Sequence, residues 1–412
     1  MKFQLRKRLQ WAVSISLSVP VVICALYFNG TFERLELMTF DTLTRNIRGS
    51  MEAPPEVAVV LIDEASLKAM NPLVGRWPWP RSVYAELVEF ISMGNPKAIA
   101  FDILFTENER YHEKGRLSHG DQWFVDSAKT YKNVFQAVQI LRDAEDEYNK
   151  DLLERPMPED FSGRFALKDI KTVKKAESES NNFYLPFKEL YLAAKGIGVV
   201  EFLPDRDGVY RRTLPLRHYK DGFYPVLGLA PMISGLKPEK IELGKNSLRL
   251  DGKEVPLDKK GNYLINMYGR FNSYSISGLL ASMQKIRSGN AEDLIVDPEE
   301  FEGKIVFIGA SAVGVEDIKP TSVSQMAPGV YLHASFAGNM IDDDFLRPVK
   351  PAFTVFLIFL LASLTAFGIV MTPTKTYQRL AVPVGLIALF FLFAVHGFKG
   401  NRLYEIVPQI MA

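Results

Sequence analysis

Two stretches of this chain carry no charge and are long enough to cross a bilayer. Residues 9–28 read LQWAVSISLSVPVVICALYF, and residues 351–371 read PAFTVFLIFLLASLTAFGIVM. A spanning helix needs about 20 predominantly apolar residues, so each run predicts a transmembrane helix. A third run, 380–398, is similar and carries His396. Residues 403–412 (LYEIVPQIMA) are expected to open a fourth span. All-α membrane segments therefore bracket whatever residues 29–350 build.

Charge sets the orientation. The overall net charge of +1 hides a segregation: residues 1–28 carry +4, residues 351–412 carry +3, and the middle is left at −6. Basic flanks stay in the cytoplasm. Lys2, Arg6, Lys7 and Arg8 place residues 1–8 there, and Lys375 with Arg379 place the loop between the second and third runs there. Residues 29–350 then face outward. A cleaved signal peptide is the weaker reading, because its apolar core is about 7–15 residues long. A mildly acidic outer domain excludes nucleic acid as a partner, since phosphate binding needs clustered Lys and Arg. The single cysteine, Cys24, lies inside the first run, so the chain has no internal disulfide framework.

The outer domain is organised around Val57–Phe105. Val57–Ile62 is continuously apolar, as a strand buried on both faces is. A loop containing Trp77-Pro-Trp-Pro-Arg81 follows, and then a helix with Val83, Leu87, Val88 and Ile91 on one face, Pro80 in its first turn and Gly94-Asn95-Pro96 as its stop. Ala98–Phe105 is the second strand. Further strands are predicted at 134–140, 197–202 and 304–308, helices at 30–49, 186–194 and 329–341, and a hairpin about the Asp205–Gly208 turn. The sum is an α/β domain with a mixed, largely buried sheet flanked by helices. Residues 141–182 read as a charged, solvated excursion with some helix.

Asp63 and Asp102 fall at or near the outgoing ends of two parallel strands, the edge where open α/β sheets bind ligands. Paired carboxylates there suit a cation or acid–base work. The competing reading is structural: Asp63 caps the next turn, and Asp102 pairs with a base such as Arg81. Trp77, Trp79 and Arg81 offer an aromatic platform with a cation, or else two indoles buried against the sheet. Asp317, in the segment GKIVFIGASAVGVEDIKPT, completes the candidate ligand-binding set of Asp63, Trp77, Trp79, Arg81, Asp102 and Asp317. No residue is nominated as catalytic. Gly309-Ala-Ser311-Ala-Val313 lacks the second Gly of a nucleophile elbow, and its only nearby partner in sequence would be His333. Lys195-Gly-Ile-Gly198 lacks the third Gly of a dinucleotide fingerprint, Asp205-x-Asp207-Gly208 lacks the rest of a calcium loop, and the five histidines show no metal spacing. No cofactor and no metal are expected.

Six segments in order resemble one family: VVLIDEASL, GRWPWPRSVYAELV, AIAFDILFTE, GIGVVEFLPDRDGVYRRTLPL, GKIVFIGASAVGVEDIKPT and APGVYLHASFAGNMI. Together they are similar to the second type of CHASE domain, the cyclase- and histidine-kinase-associated sensory extracellular domain, over residues 30–350. The resemblance implies the sensor module of a bacterial inner-membrane receptor. In that family a span leads to a cytoplasmic output domain, most often a nucleotide (adenylate) cyclase, otherwise a histidine or serine/threonine kinase. The partners it implies are the lipid bilayer, an extracytoplasmic ligand or protein, and a second copy in a homodimer or higher homo-oligomer. A structural or assembly protein using a sensor-like outer domain is the alternative, and a tethered periplasmic enzyme is the third reading.

Overall fold

The computed structural model describes residues 2–109, 116–140, 157–168, 170–172, 183–220, 222–236, 240–315, 317–371 and 376–412. The chain forms two compact units, Met1–Arg48 with Leu346–Ala412, and Gly49–Phe345.

The first unit holds three helices with stretches long and apolar enough to cross a membrane: Arg6–Phe28, Pro351–Met371 and Gln378–Lys399. The segment expected at 30–49 forms a helix at Glu33–Leu43, followed by a π-helical turn at Thr44–Arg48. This segment falls in the unit with the apolar helices, and the second unit runs from Gly49 to Phe345. The reason is local. Arg48 is buried and donates to the Phe398 carbonyl at 3.1 Å and to the Asn401 side chain. Phe40 packs edge-on against Phe398. Glu36 accepts from the Ile406 N–H at 2.7 Å and from the Val407 N–H. In the segment expected to open a fourth span, Leu403 bridges to Pro348 and Val407–Met411 forms a short helix.

In the second unit a six-stranded parallel sheet runs through the core. Its labelled elements are β1 (Val57–Ile62), α1 (Glu64–Val74), α2 (Arg81–Met93), β2 (Ala98–Phe101), α3 (His119–Tyr131), β3 (Val134–Ile140), β4 (Gly196–Val199), β5 (Asn272–Ser275), α4 (Ile276–Arg287), β6 (Ile305–Ala310) and α5 (Val330–Asp342). The spatial order is β5-β1-β6-β2-β3-β4. Phe183–Tyr184 adds one short antiparallel strand beside β3, which makes the sheet mixed. β1 and β2 are not neighbours. β6, from more than 200 residues later, pairs with both, Val57 opposite Ile305 and Ile305 opposite Ala98.

Alternation divides the strand side chains between two layers. Ala58, Val60, Ile62, Ile99, Phe101, Val306 and Ile308 pack under α2, α3 and α4. Val57, Val59, Ala98, Ala100, Ile305 and Phe307 pack on the other face against Val330, Ala334 and Ala337 of α5. The opposite side of α5 presents Leu332, Phe336 and Met340 to a second cluster with Leu248, Leu250, Val255 and Tyr263. That cluster lies over a smaller sheet of Lys171–Thr172, Ile241–Leu243, Ser247–Leu250 and Lys253–Pro256. A helix apolar all round is one buried all round, and α5 is that helix.

Several expectations need correction. Residues 64–74, read as loop, are helix α1, started by Asp63 as its N-cap. Pro80 sits at the cap position of α2 and not inside its first turn, and the Glu109 carboxylate accepts the Arg81 N–H at 2.6 Å instead. β2 ends at Phe101, not Phe105. The Asp205–Gly208 turn exists, but its flanks do not pair: Gly196–Val199 joins β3 and Arg212–Thr213 joins Tyr263–Leu264. The hairpin forms one step later, between Leu216–Tyr219 and Gly222–Pro225. Of the excursion at 141–182, residues 141–156, 169 and 173–182 lie outside the described residues. Within the rest, helix Glu159–Phe165 buries Phe161 and Phe165.

The β6–α5 contact is close enough to test. A Cβ at Gly309 would lie 2.6 Å from the Val330 Cβ, whereas one at Gly314 meets nothing within 4 Å. Gly309→Ala is expected to cost about 1–3 kcal/mol by overpacking. Gly314→Ala stays within about 0.5 kcal/mol of wild type. Denaturant melts of both variants check this, and equal stabilities would contradict the packing.

Candidate functional site

The outgoing ends of β1, β6, β2, β3 and β4 share one edge of the sheet. A cleft of about 760 Å³ opens there, within the usual range for small-molecule sites. Its floor is made where strands end: Asp102 after β2, Ala310 closing β6, and Val200, Glu201 and Phe202 after β4. One wall is Trp77, Pro78, Arg81 and Tyr84, from the loop before α2 and its first turn. The other is Tyr210, Val315, Asp317 and Lys319, with Gly329 and His333 from the start of α5.

Four of the six candidates from sequence line this cleft: Trp77, Arg81, Asp102 and Asp317. The other two lie elsewhere. Asp63 accepts from the Ser66 N–H at 2.7 Å, the Ser66 hydroxyl at 2.6 Å and the Ser275 hydroxyl at 3.0 Å. It is a helix cap, a role worth about 1 kcal/mol, and it also ties α1 to β5. Trp79 is 2% exposed in the core, with its ring edge-on to Trp77 at 5.3 Å. Arg81 pairs with neither Asp63 nor Asp102. Its Nη2 donates to the Glu107 carbonyl at 3.2 Å, its Nε lies 3.9 Å from Asp121, and its guanidinium carbon sits 4.7 Å from the Phe105 ring centre.

Lys319, Tyr210 and Glu201 also line the cleft and had no signal of their own in the sequence. The loop carrying Tyr210 is held by a buried knot. The fully buried Arg211 donates to Asp207 at 2.9 and 2.8 Å and to Asp205 at 3.0 Å. This accounts for the acids of the calcium-like motif. The Tyr210 N–H then donates to the Pro320 carbonyl at 2.8 Å, and Lys319 Nζ lies 5.4 Å from the Tyr210 ring centre.

The deep end of the cleft is electrically unbalanced. Lys319 forms an ion pair with Asp317 at 3.0 Å. Burial works most strongly against the lysine charge, but the Asp317 carboxylate, together with Tyr210 and Asp102, raises the lysine pKa overall. His333 is held neutral, its pKa lowered to about 3 by burial and, secondarily, by Lys319. Its Nδ1 accepts the Gly228 N–H at 3.2 Å, and its ring N–H donates to the Val200 carbonyl. Both nitrogens are committed to backbone, so His333 is no general base for Ser311. Asp102 has a side chain 10% exposed, and its closest charged-type neighbour is His333 Nε2 at 3.8 Å, beyond hydrogen-bond range. Among the described residues no side chain donates to it. Burial first, then the Asp317 charge, pushes its pKa well above the usual carboxylate range, while Lys319 opposes the shift.

A raised folded-state pKa has a definite sign. The native state binds the proton more tightly than the unfolded chain, so stability falls as pH rises from the ordinary carboxyl range toward the raised value. Asp102→Asn removes that fall. The variant is expected to match wild type at acid pH and to exceed it at alkaline pH. Urea melts across pH check this, and a variant destabilised at every pH would make Asp102 a structural partner instead.

Comparison with known families agrees with this geometry. The family model described as "CHASE2 domain" matches residues 18–369, which takes in the sheet, the cleft, the second half of the first apolar helix and nearly all of the second. No curated protein and no solved structure matches the chain. The match covers most of the sequence, and the chain belongs to the CHASE2 domain family, whose members are sensory extracellular domains of signalling proteins.

Proposed function

We propose that residues 49–345 are the periplasmic input domain of a bacterial receptor held in the cytoplasmic membrane by three helices. Occupancy of the cleft changes the arrangement of those helices and, through them, a cytoplasmic output of the nucleotide-cyclase class, with kinases as the alternative output. Lys2, Arg6, Lys7 and Arg8, with Lys375 and Arg379, support a cytoplasmic location for the two helix ends they flank.

The observation that carries this reading is helix α5. Gly329 and His333 at its start line the cleft, and its last residue, Asp342, lies nine residues before the helix that begins at Pro351. It spans about 20 Å at 1.5 Å per residue. It is also packed too tightly to bend independently. A Cβ on Gly228 would fall 2.5 Å from the His333 carbonyl, and one on Gly338 would fall 2.7 Å from the Tyr268 ring. A body without slack transmits a displacement at one end to the other. Among the described residues the cleft shows no nucleophile with a free base, which favours a binding role over a catalytic one.

The test joins the last span to a cyclase reporter in cells. Val315→Trp places an indole in the cleft, while Ile295→Trp changes a residue 63% exposed and outside it. The cleft-filling variant is expected to change cyclic-nucleotide output by about fivefold or more, the low end of typical site-to-site coupling. The control leaves output unchanged. Output insensitive to Val315→Trp at normal expression would overturn the reading.

A further inference from the structure

We propose that the cleft takes a small organic cation, and that its primary ammonium group seats on the Asp102 carboxylate. This inference rests on the sensory reading of the cleft and names the chemistry of its ligand. One charge in the cleft is unmatched. Each cation lining the cleft already has a partner: Lys319 has Asp317 at 3.0 Å, and Arg81 has the Glu107 carbonyl, the Phe105 ring and Asp121. His333 supplies no charge, because both ring nitrogens are bound to backbone groups. Glu201 faces Arg217 at 3.7 Å. Asp102 is nine-tenths buried, lines the cleft, and receives no hydrogen bond from any described residue. An anion would meet this carboxylate with no cation left to hold it. A donor with positive charge completes it, since charge-assisted hydrogen bonds are about twice as strong as neutral ones.

An organic ammonium fits better than a metal ion. Among the described residues no three His, Cys, Asp or Glu side chains come together to hold a metal. The space of about 760 Å³ far exceeds one ion, and Trp77, Tyr84, Phe202 and Tyr210 supply rings for an organic body. Aromatic faces attract ammonium groups as well as alkyl chains.

Proton linkage follows from the same placement. The titratable and charged groups that share the cleft with Asp102 are Asp317, Lys319, His333, Glu201, Glu107, Tyr84, Tyr210 and Arg81. An ammonium ion binds the ionised Asp102, whose proton is held well above the usual carboxylate range. Binding therefore tightens as pH rises and weakens as Asp102 takes up its proton.

The experiment uses the full chain in nanodiscs and follows unfolding by tryptophan fluorescence. Butylammonium chloride is compared with potassium chloride and sodium butyrate at matched ionic strength. Butylammonium is expected to raise the melting temperature by about 2–4 °C, the size of shift a bound ligand gives a domain of this length. Butyrate and potassium do not raise it, and the shift grows with pH. Asp102→Asn keeps the fold and loses the response. Equal melting in butylammonium and potassium, a larger effect of butyrate, or a response retained in Asp102→Asn would each overturn the proposal. Because melting reads binding without any output domain, an ammonium response with a silent reporter would count against the coupling and not against the ligand class.

Discussion

One ladder makes the site possible. β6 is hydrogen-bonded on both sides, to β1 over six residue pairs and to β2 over four. Strands separated by more than 200 residues are thereby closed into one sheet, and their outgoing ends meet. Without β6 between them, Asp102 and the Val315–Lys319 segment would have no common edge. Such pairing is long-range, and its loop-closure entropy must be met by burial. The burial is present: every residue of β2 and β6 is inaccessible to solvent or nearly so.

The domain then carries its charges in two ways. In the Arg211 knot, Asp205 and Asp207 satisfy a buried guanidinium with good geometry, so the loop bearing Tyr210 is fixed. In the cleft the accounting is left open. Asp317 and Lys319 satisfy each other, and Asp102 is left buried beside them without a donor. Residues that break local rules in this way concentrate at functional sites. The contrast between two acid–base clusters in one domain, one closed and one open, separates scaffold from site.

Much of this was legible in the sequence, for physical reasons. The uncharged runs announce membrane-length helices because charge is costly in lipid. β1, β3 and β6 announce themselves because strands buried on both faces are uniformly apolar. The same logic put Asp63 and Asp102 at outgoing strand ends, of which Asp102 lines the cleft and Asp63 does not. What was hidden depends on order in space rather than in sequence. Nothing local says that residues 305–310 enter between 57–62 and 98–101, so Lys319 and Tyr210 could not be assigned to the site. The capping role of Asp63 was legible: a carboxylate at a strand end caps the next turn when Ser stands three residues on, and Ser66 does. The Glu33–Leu43 helix has a periodicity that fits either unit, and only the Arg48 contacts with Phe398 and Asn401 decide between them.

In the proposed receptor the state of the cleft sets the arrangement of the apolar helices. The most direct measurement is the distance between nitroxide labels at positions 30 and 350, in a Cys24→Ser background, with the cleft open and with it filled by Val315→Trp. Both positions lie in the unit that holds the apolar helices. The expected result is a displaced distance distribution, by about 1–2 Å or more, the scale of helix shifts in known switches. Superimposable distributions, with the indole shown to be seated in the cleft, would contradict the claim.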